Sequence, residues 1–250
     1  MISSTEINKK YDKIKRAACM GSSLCKKGEG NELFNGCKMI KQHEKGNRKM
    51  INTIIFDIGR VLVEWDWQGY LQGFGFSGEK TEKLAKAIFQ SEYWKETDRG
   101  VWSDEEILQS FIKVVPEYEE DVRAVWDDMG KCIWKCEYTD EWIEELKERG
   151  YKVYYLSNYG KTLREKSKEA LNFTENCHGG IFSYEIQKIK PDYAIYKALV
   201  EKYSLIPKQC VFLDDTMENI EAARECEFHG IQFITYEQAK KELEEKLSKF

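Results

Sequence analysis

Four short stretches of the chain place chemically useful side chains where apolar runs stop. Asp57 follows Thr53-Ile54-Ile55-Phe56, Ser157 and Asn158 follow Lys152-Val153-Tyr154-Tyr155-Leu156, and Asp214 and Asp215 follow Cys210-Val211-Phe212-Leu213. Lys190 precedes Pro191-Asp192, where the proline can open a helix and leave the lysine on the loop above it. Each has an ordinary structural explanation when taken alone. An aspartate after a strand is commonly a turn or a cap, Ser-Asn begins many loops, and Lys-Pro-Asp is a frequent helix entry. Their joint occurrence points to chemistry. Three carboxylates in one place repel one another and resist ionisation. A hard divalent cation resolves that repulsion, and Mg²⁺ is suited to one or two carboxylates together with water and phosphate oxygens. Lys190, Ser157 and Asn158 can then hold the phosphate oxygens and stabilise charge in the transition state.

Such convergence needs parallel strands, and the pattern predicts them. The three runs are short and continuously apolar, as in strands buried on both faces, and Gly230-Ile231-Gln232-Phe233-Ile234 reads as a further strand. Helical patterns lie between them at Thr162–Leu171, Asp192–Tyr203 and Glu218–Cys226. Alternating strands and helices predict an α/β fold with a Rossmann-like parallel sheet and helices on both faces, in which ligands bind beyond the carboxyl ends of the strands. Residues 66–149 interrupt the alternation with helical patterns near 79–90, 103–114, 118–131 and 139–149, and Ser103 with Glu106 forms a capping-box signature. The expected division is a core of residues 50–65 and 150–250, an inserted helical cap of 66–149, and a preceding extension of 1–49.

The extension carries 12 Lys/Arg against 5 Asp/Glu, whereas the whole chain has a net charge of −5, so a basic arm precedes an acidic body. The arm has no sustained period and is expected to be disordered. Its Cys19, Cys25, Cys37 and His43 lack zinc-finger spacing, and its few aromatics argue against nucleic-acid binding. Met50, just before the first strand, offers a second possible start. No run approaches the ~20 apolar residues of a membrane span, and residues 1–15 have no apolar signal core. The eight scattered cysteines read as reduced thiols of a cytoplasmic protein. Cys132 and Cys136, at helical spacing, are expected to pack on one helix.

As a set, the four segments resemble the four motifs of the haloacid dehalogenase superfamily. They are Phe56-Asp57-Ile58-Gly59-Arg60-Val61-Leu62, Leu156-Ser157-Asn158, the lysine of Ile189-Lys190-Pro191-Asp192, and Phe212-Leu213-Asp214-Asp215 with Asn219 following. The resemblance spans residues 51 to about 235. It implies a Mg²⁺-dependent hydrolase of a small phosphorylated metabolite, working as a monomer or homodimer through an aspartyl-phosphate on Asp57. It assigns phosphate contacts to Ser157, Asn158 and Lys190. Metal coordination falls to Asp57, the Gly59 carbonyl and the Asp214-Asp215 pair, with Asp215 the more direct of the two.

One position departs from the pattern. Most phosphatases of this superfamily carry a second aspartate two residues after the nucleophile, and here Gly59 has no side chain. General acid–base help is worth ~10²–10⁴ in rate. Three explanations stand: another acid acts, the leaving group is a good one, or the protein no longer catalyses. Glu64 and Asp66 are the nearest candidate acids. The stretch Asp57-Ile58-Gly59-Arg60-Val61 with Asp98-Arg99-Gly100 resembles the branch containing α-glucose-1-phosphate phosphatase-like and epoxide-hydrolase N-terminal-domain-like proteins, which is consistent with a sugar phosphate as substrate. Arg99 either reaches that substrate or pairs with acids around Asp98 on the surface. A metal-independent dehalogenase fits less well, because the Asp214-Asp215 pair remains. Trp65, Trp67, Tyr70, Phe74, Phe76, Tyr93, Trp94, Trp102, Trp126 and Trp134 make the insert rich in aromatics, either as its core or as a face for a sugar ring.

Overall fold

The computed structural model describes residues 51–249. The expected disorder of 1–49, its four candidate zinc ligands and the start at Met50 lie outside the described residues. The three apolar runs form strands β1 (Thr53–Phe56), β4 (Lys152–Ser157) and β6 (Cys210–Asp214). With β5 (Gly179–Phe182) and β7 (His229–Gln232) they make a five-stranded sheet of order β5-β4-β1-β6-β7, parallel throughout. β1 lies at the centre, in register with β4 (Phe56 beside Tyr155) and with β6 (Phe56 beside Leu213). The chain leaves β1 toward one edge and returns to its other side, so the crevice opens at the end of β1.

Alternation along the strands supplies both faces of the sheet. Ile54 and Phe56 share a core with Trp142, Ile143 and Leu146 of α6 (Thr139–Glu148) and with Ala239 and Leu243 of α11 (Tyr236–Leu247). Ile55 points to the opposite layer, with Ile195, Tyr196 and Leu199 of α9 (Tyr193–Tyr203) and Ile220 and Ala223 of α10 (Met217–Glu225). Phe56 meets the edge of the Trp142 ring at 4.8 Å between centroids. Helix starts carry their own sequence logic: Asp192 caps α9 by accepting from Ala194 N–H, and Thr235 with Gln238 closes a capping box on α11.

A two-stranded antiparallel ribbon, β2 (Val63–Trp65) with β3 (Ile133–Lys135), brackets the insert. Between its strands lie α1 (Trp67–Gln72), α2 (Gly78–Ala87), α3 (Trp94–Arg99), α4 (Asp104–Val114) and α5 (Glu119–Asp127). The expected Ser103–Glu106 capping box is present on α4. Because α6 packs on the sheet, we place the C-terminal limit of the insert at the ribbon, near residue 133, and not at 149. The helix expected to carry both Cys132 and Cys136 is interrupted by β3. Each thiol is nevertheless buried, and burial pushes Cys132 up to about 12, which makes it a poor nucleophile. Two further α-helices, α7 (Lys161–Lys166) and α8 (Ser183–Ile186), follow β4 and β5 and meet the insert, α8 against α3 and α7 against the turn Met129–Cys132. Among the described residues no helix is long and apolar enough to cross a membrane.

Candidate active site

Because β4, β1 and β6 are neighbours running the same way, their carboxyl ends bring Ser157, Asp57 and the Asp214-Asp215 pair together. One carboxylate oxygen from each of Asp57, Asp214 and Asp215 lies within 4.8 Å of the others. Lys190 completes the cluster: its ammonium is 2.8 Å from Asp57 Oδ1 and 2.6 Å from Asp214 Oδ2, and its side chain is almost wholly buried. Asp57 also accepts at Oδ1 from Ile58 N–H at 2.7 Å. Both of these donors reach the same oxygen. Arg60, held in the left-handed region (φ 59°) by a tight turn between β1 and β2, extends its guanidinium to 3.7 Å from Asp215.

The electrostatics follow from burial. Burial raises the Asp57 carboxyl, Lys190 opposes that rise, and Asp214 reinforces it. Burial alone would lower Lys190, but Asp214 and Asp57 more than reverse this and hold the ammonium above its ordinary range. Burial, then Asp214, raises Asp215, with Thr216 and Arg60 pulling the other way. Three carboxylates against one buried ammonium leave the cluster short of positive charge, a setting that suits a bound cation. The donors divide the acids. Asp214 accepts from Lys190, from Asn219 Nδ2 at 3.0 and 3.1 Å and from Thr216 N–H at 2.9 Å. Asp215 is partly exposed at the crevice and has more capacity left for a ligand.

The family profile of the haloacid dehalogenase-like hydrolases matches residues 51–227. The chain belongs to this family. It is 23% identical over 175 residues to the sesquiterpene phosphatase astK of Aspergillus oryzae, covering 68% of this chain and 83% of that protein. It is 25% identical over 197 residues to the D-ribitol-5-phosphate phosphatase of Bacteroides thetaiotaomicron, covering 73% of this chain and 92% of the relative. A haloacid dehalogenase family enzyme of B. thetaiotaomicron, solved with magnesium and inorganic phosphate, superposes with a TM-score of 0.56 at 20% identity, over 73% of this chain and 93% of that one. The parallel α/β architecture expected from the sequence is therefore the fold of this hydrolase family.

Two residues expected to touch substrate are engaged elsewhere in this hydrolase. The side-chain amide of Asn158 is turned to the lysine loop, where Oδ1 accepts from Lys190 N–H at 2.7 Å and Nδ2 donates to the Lys190 carbonyl at 3.0 Å. Arg99, at the end of α3, pairs with Glu96 one turn back and does not line the crevice. Its neighbour Asp98 does. The candidate acids that follow the Asp57 loop are also occupied: Asp66 caps α1 by accepting from Gly69 N–H, and Glu64 accepts from the Cys136 thiol.

The crevice is a cavity of about 400 Å³ with Gly59, Arg60, Asn158 and Asp215 along its floor. Trp65, Trp67, Phe89 and Trp94 form one wall. They pack on one another, with Trp67 stacked on Phe89 at 5.2 Å and Trp94 5.4 Å from Trp65. Part of the aromatic content of the insert thus faces the site, while Trp126 and Phe111 pack in the interior of the insert.

Proposed function

We propose that this hydrolase is a Mg²⁺-dependent phosphatase that cleaves a small phosphorylated metabolite through an aspartyl-phosphate on Asp57. The observation that carries the reading is the cluster itself: a carboxylate at the end of the central strand, a buried lysine 2.8 Å away, and two further carboxylates within 4.8 Å. Mg²⁺ fits this donor set, with Asp57, Asp215 and the Gly59 carbonyl as its holders and Asp214 behind them, its oxygens given to Lys190, Asn219 and Thr216. When bound, the ion supplies positive charge beside the phosphate and the nucleophile.

The chain's own residues account for the remaining requirements. Asp57 attacks the phosphorus as its leaving oxygen departs, and water later cleaves the acyl phosphate. Lys190 neutralises Asp57 on approach to a dianionic phosphate and donates to the phosphate oxygens as charge shifts onto them. Ser157, buried at the end of β4, offers a hydroxyl on the same side. Arg60 lies at the mouth, where a guanidinium can take a phosphate edge. The helical insert covers the crevice, and its aromatic wall receives the carbon skeleton, whether the face of a sugar or a polyol or a more apolar chain. The names of the two phosphatase relatives bracket that range.

Phosphate release by the full chain tests the reading. The panel is a set of hexose phosphates, a polyol phosphate, an isoprenoid monophosphate and p-nitrophenyl phosphate, each with Mg²⁺ and with EDTA. Mg²⁺-dependent release supports it. Silence on every substrate, the aryl phosphate included, would reject it in favour of a non-catalytic module, and halide release surviving EDTA would favour a dehalogenase.

A further inference from the structure

We propose that Asp98 is the general acid and base of this site, doing from the helical insert what no side chain at Gly59 can do. The inference rests on the phosphatase reading above. Asp98 is partly exposed in the same cavity as Gly59, Asn158 and Asp215. It is near enough to Lys190 and Asp57 for both charges to act on it. No other carboxylate of the insert lines that cavity among the described residues.

The fold fixes where this carboxyl stands. The Asp98 carbonyl accepts from the Ser183 hydroxyl at 2.5 Å, and that same oxygen of Ser183, wholly buried, accepts from Tyr159 N–H at 2.9 Å. On one side of Asp98, Gly160 lets the Thr97 backbone come so close that a Cβ would stand 2.9 Å from its carbonyl oxygen. On the other side, Gly100 ends α3 in the left-handed region (φ 68°), where a Cβ would stand 2.6 Å from Tyr184 Cβ. The segment Thr97–Gly100 is thereby clamped to the loops after β4 and β5, which also carry the phosphate site. A short helix anchored in this way holds its last-turn side chain in a fixed place in the crevice that Gly59, Asn158 and Asp215 also line.

The environment suits proton transfer near neutrality. Burial raises the Asp98 carboxyl, Lys190 partly opposes this, and Asp57 adds to it, leaving it pushed up to about 7. Its place in the last turn of α3, where the helix ends in unpaired carbonyls, favours the neutral form further. The step balances as follows. An Asp57 oxygen forms a bond to phosphorus while the bond from phosphorus to the leaving oxygen breaks, and the Asp98 proton passes to that oxygen, releasing an alcohol. The Asp98 carboxylate then takes a proton from water, whose oxygen attacks the phosphorus, freeing phosphate and restoring the Asp57 carboxylate.

The test uses the full-length protein, an alkyl phosphate that it hydrolyses, and p-nitrophenyl phosphate, whose leaving group departs without a proton. Parent turnover of the aryl phosphate, abolished by Asp57→Asn, first establishes the phosphatase reading, and its absence would reject that reading and not Asp98 in particular. Asp98→Asn is then expected to lower kcat/KM for the alkyl phosphate by about 10²–10⁴-fold. The pre-steady-state burst of nitrophenolate should persist, and phosphorylated Asp57 should accumulate and be visible by intact-protein mass spectrometry. Adding Gly59→Asp to Asp98→Asn should restore part of the lost alkyl phosphatase activity, since a Cβ at Gly59 meets no atom within 4 Å. Equal loss on both substrates without phosphoprotein would show a merely structural role, and unchanged turnover of both would show none; either result overturns the proposal.

Discussion

Asn158 grips the backbone of Lys190 with both edges of its amide, accepting from the N–H at 2.7 Å and donating to the carbonyl at 3.0 Å. An asparagine that its place in the motif suggested as a phosphate ligand is thus the clamp that sets the lysine loop against β4. The lysine in turn bridges Asp57 and Asp214. Asn158 therefore fixes the position of Lys190.

Asn158→Ala should lower turnover by roughly 10²-fold, the scale on which a misplacement of about 1 Å acts. Stability should fall by only ~1–3 kcal/mol, the cost of two lost, partly buried hydrogen bonds. Steady-state kinetics beside denaturant unfolding would check both. A large loss of stability with normal kcat in the surviving folded fraction would contradict the assignment.

Lys190→Met removes the ammonium that bridges two buried carboxylates, Asp57 and Asp214. Breaking a buried pair from one side costs ~3–5 kcal/mol, so the variant should melt well below the parent in EDTA. Because the carboxylates then lack their cation, added Mg²⁺ should raise the melting temperature of the variant more than that of the parent. Differential scanning calorimetry with and without Mg²⁺ reads this directly.

Asp98 makes a pH prediction for stability in EDTA. Its folded value, pushed up to about 7 from an ordinary 3.8, means that the folded state holds a proton the unfolded chain has released between those limits. Its contribution to stability therefore declines as pH rises from about 4 to 7, and the penalty is complete above 7. Asp98→Asn should melt above the parent at pH 8, with the gap closing toward pH 4. A gap independent of pH would show that Asp98 does not titrate in this range.

The site's strands were legible because a strand buried on both faces reads as an unbroken apolar run, and β1, β4 and β6 all do. The capping box at Ser103 and Glu106 was equally plain, being a local device. Long-range partners escaped. Nothing around Arg99 says that its neighbour Asp98 lines the crevice, because that depends on Ser183, 85 residues away. The role of Asn158 depends on a backbone 32 residues downstream. β5 is a short, glycine-led edge strand without an apolar run, and β3 splits Cys132 from Cys136 by pairing with β2, 70 residues earlier in the chain. Residue types announced the chemistry, while the directions of individual side chains were set by contacts that sequence spacing does not contain.

The most direct test of the central claim is phosphate release and phosphoprotein formation by full-length Asp57→Asn beside the parent, with p-nitrophenyl phosphate and Mg²⁺. The parent should turn over and carry a transient phosphate that maps to Asp57, while the variant, folded to the same melting profile, should do neither. Undiminished turnover by the variant, or a phosphate mapped to any other residue, would contradict Asp57 as the nucleophile.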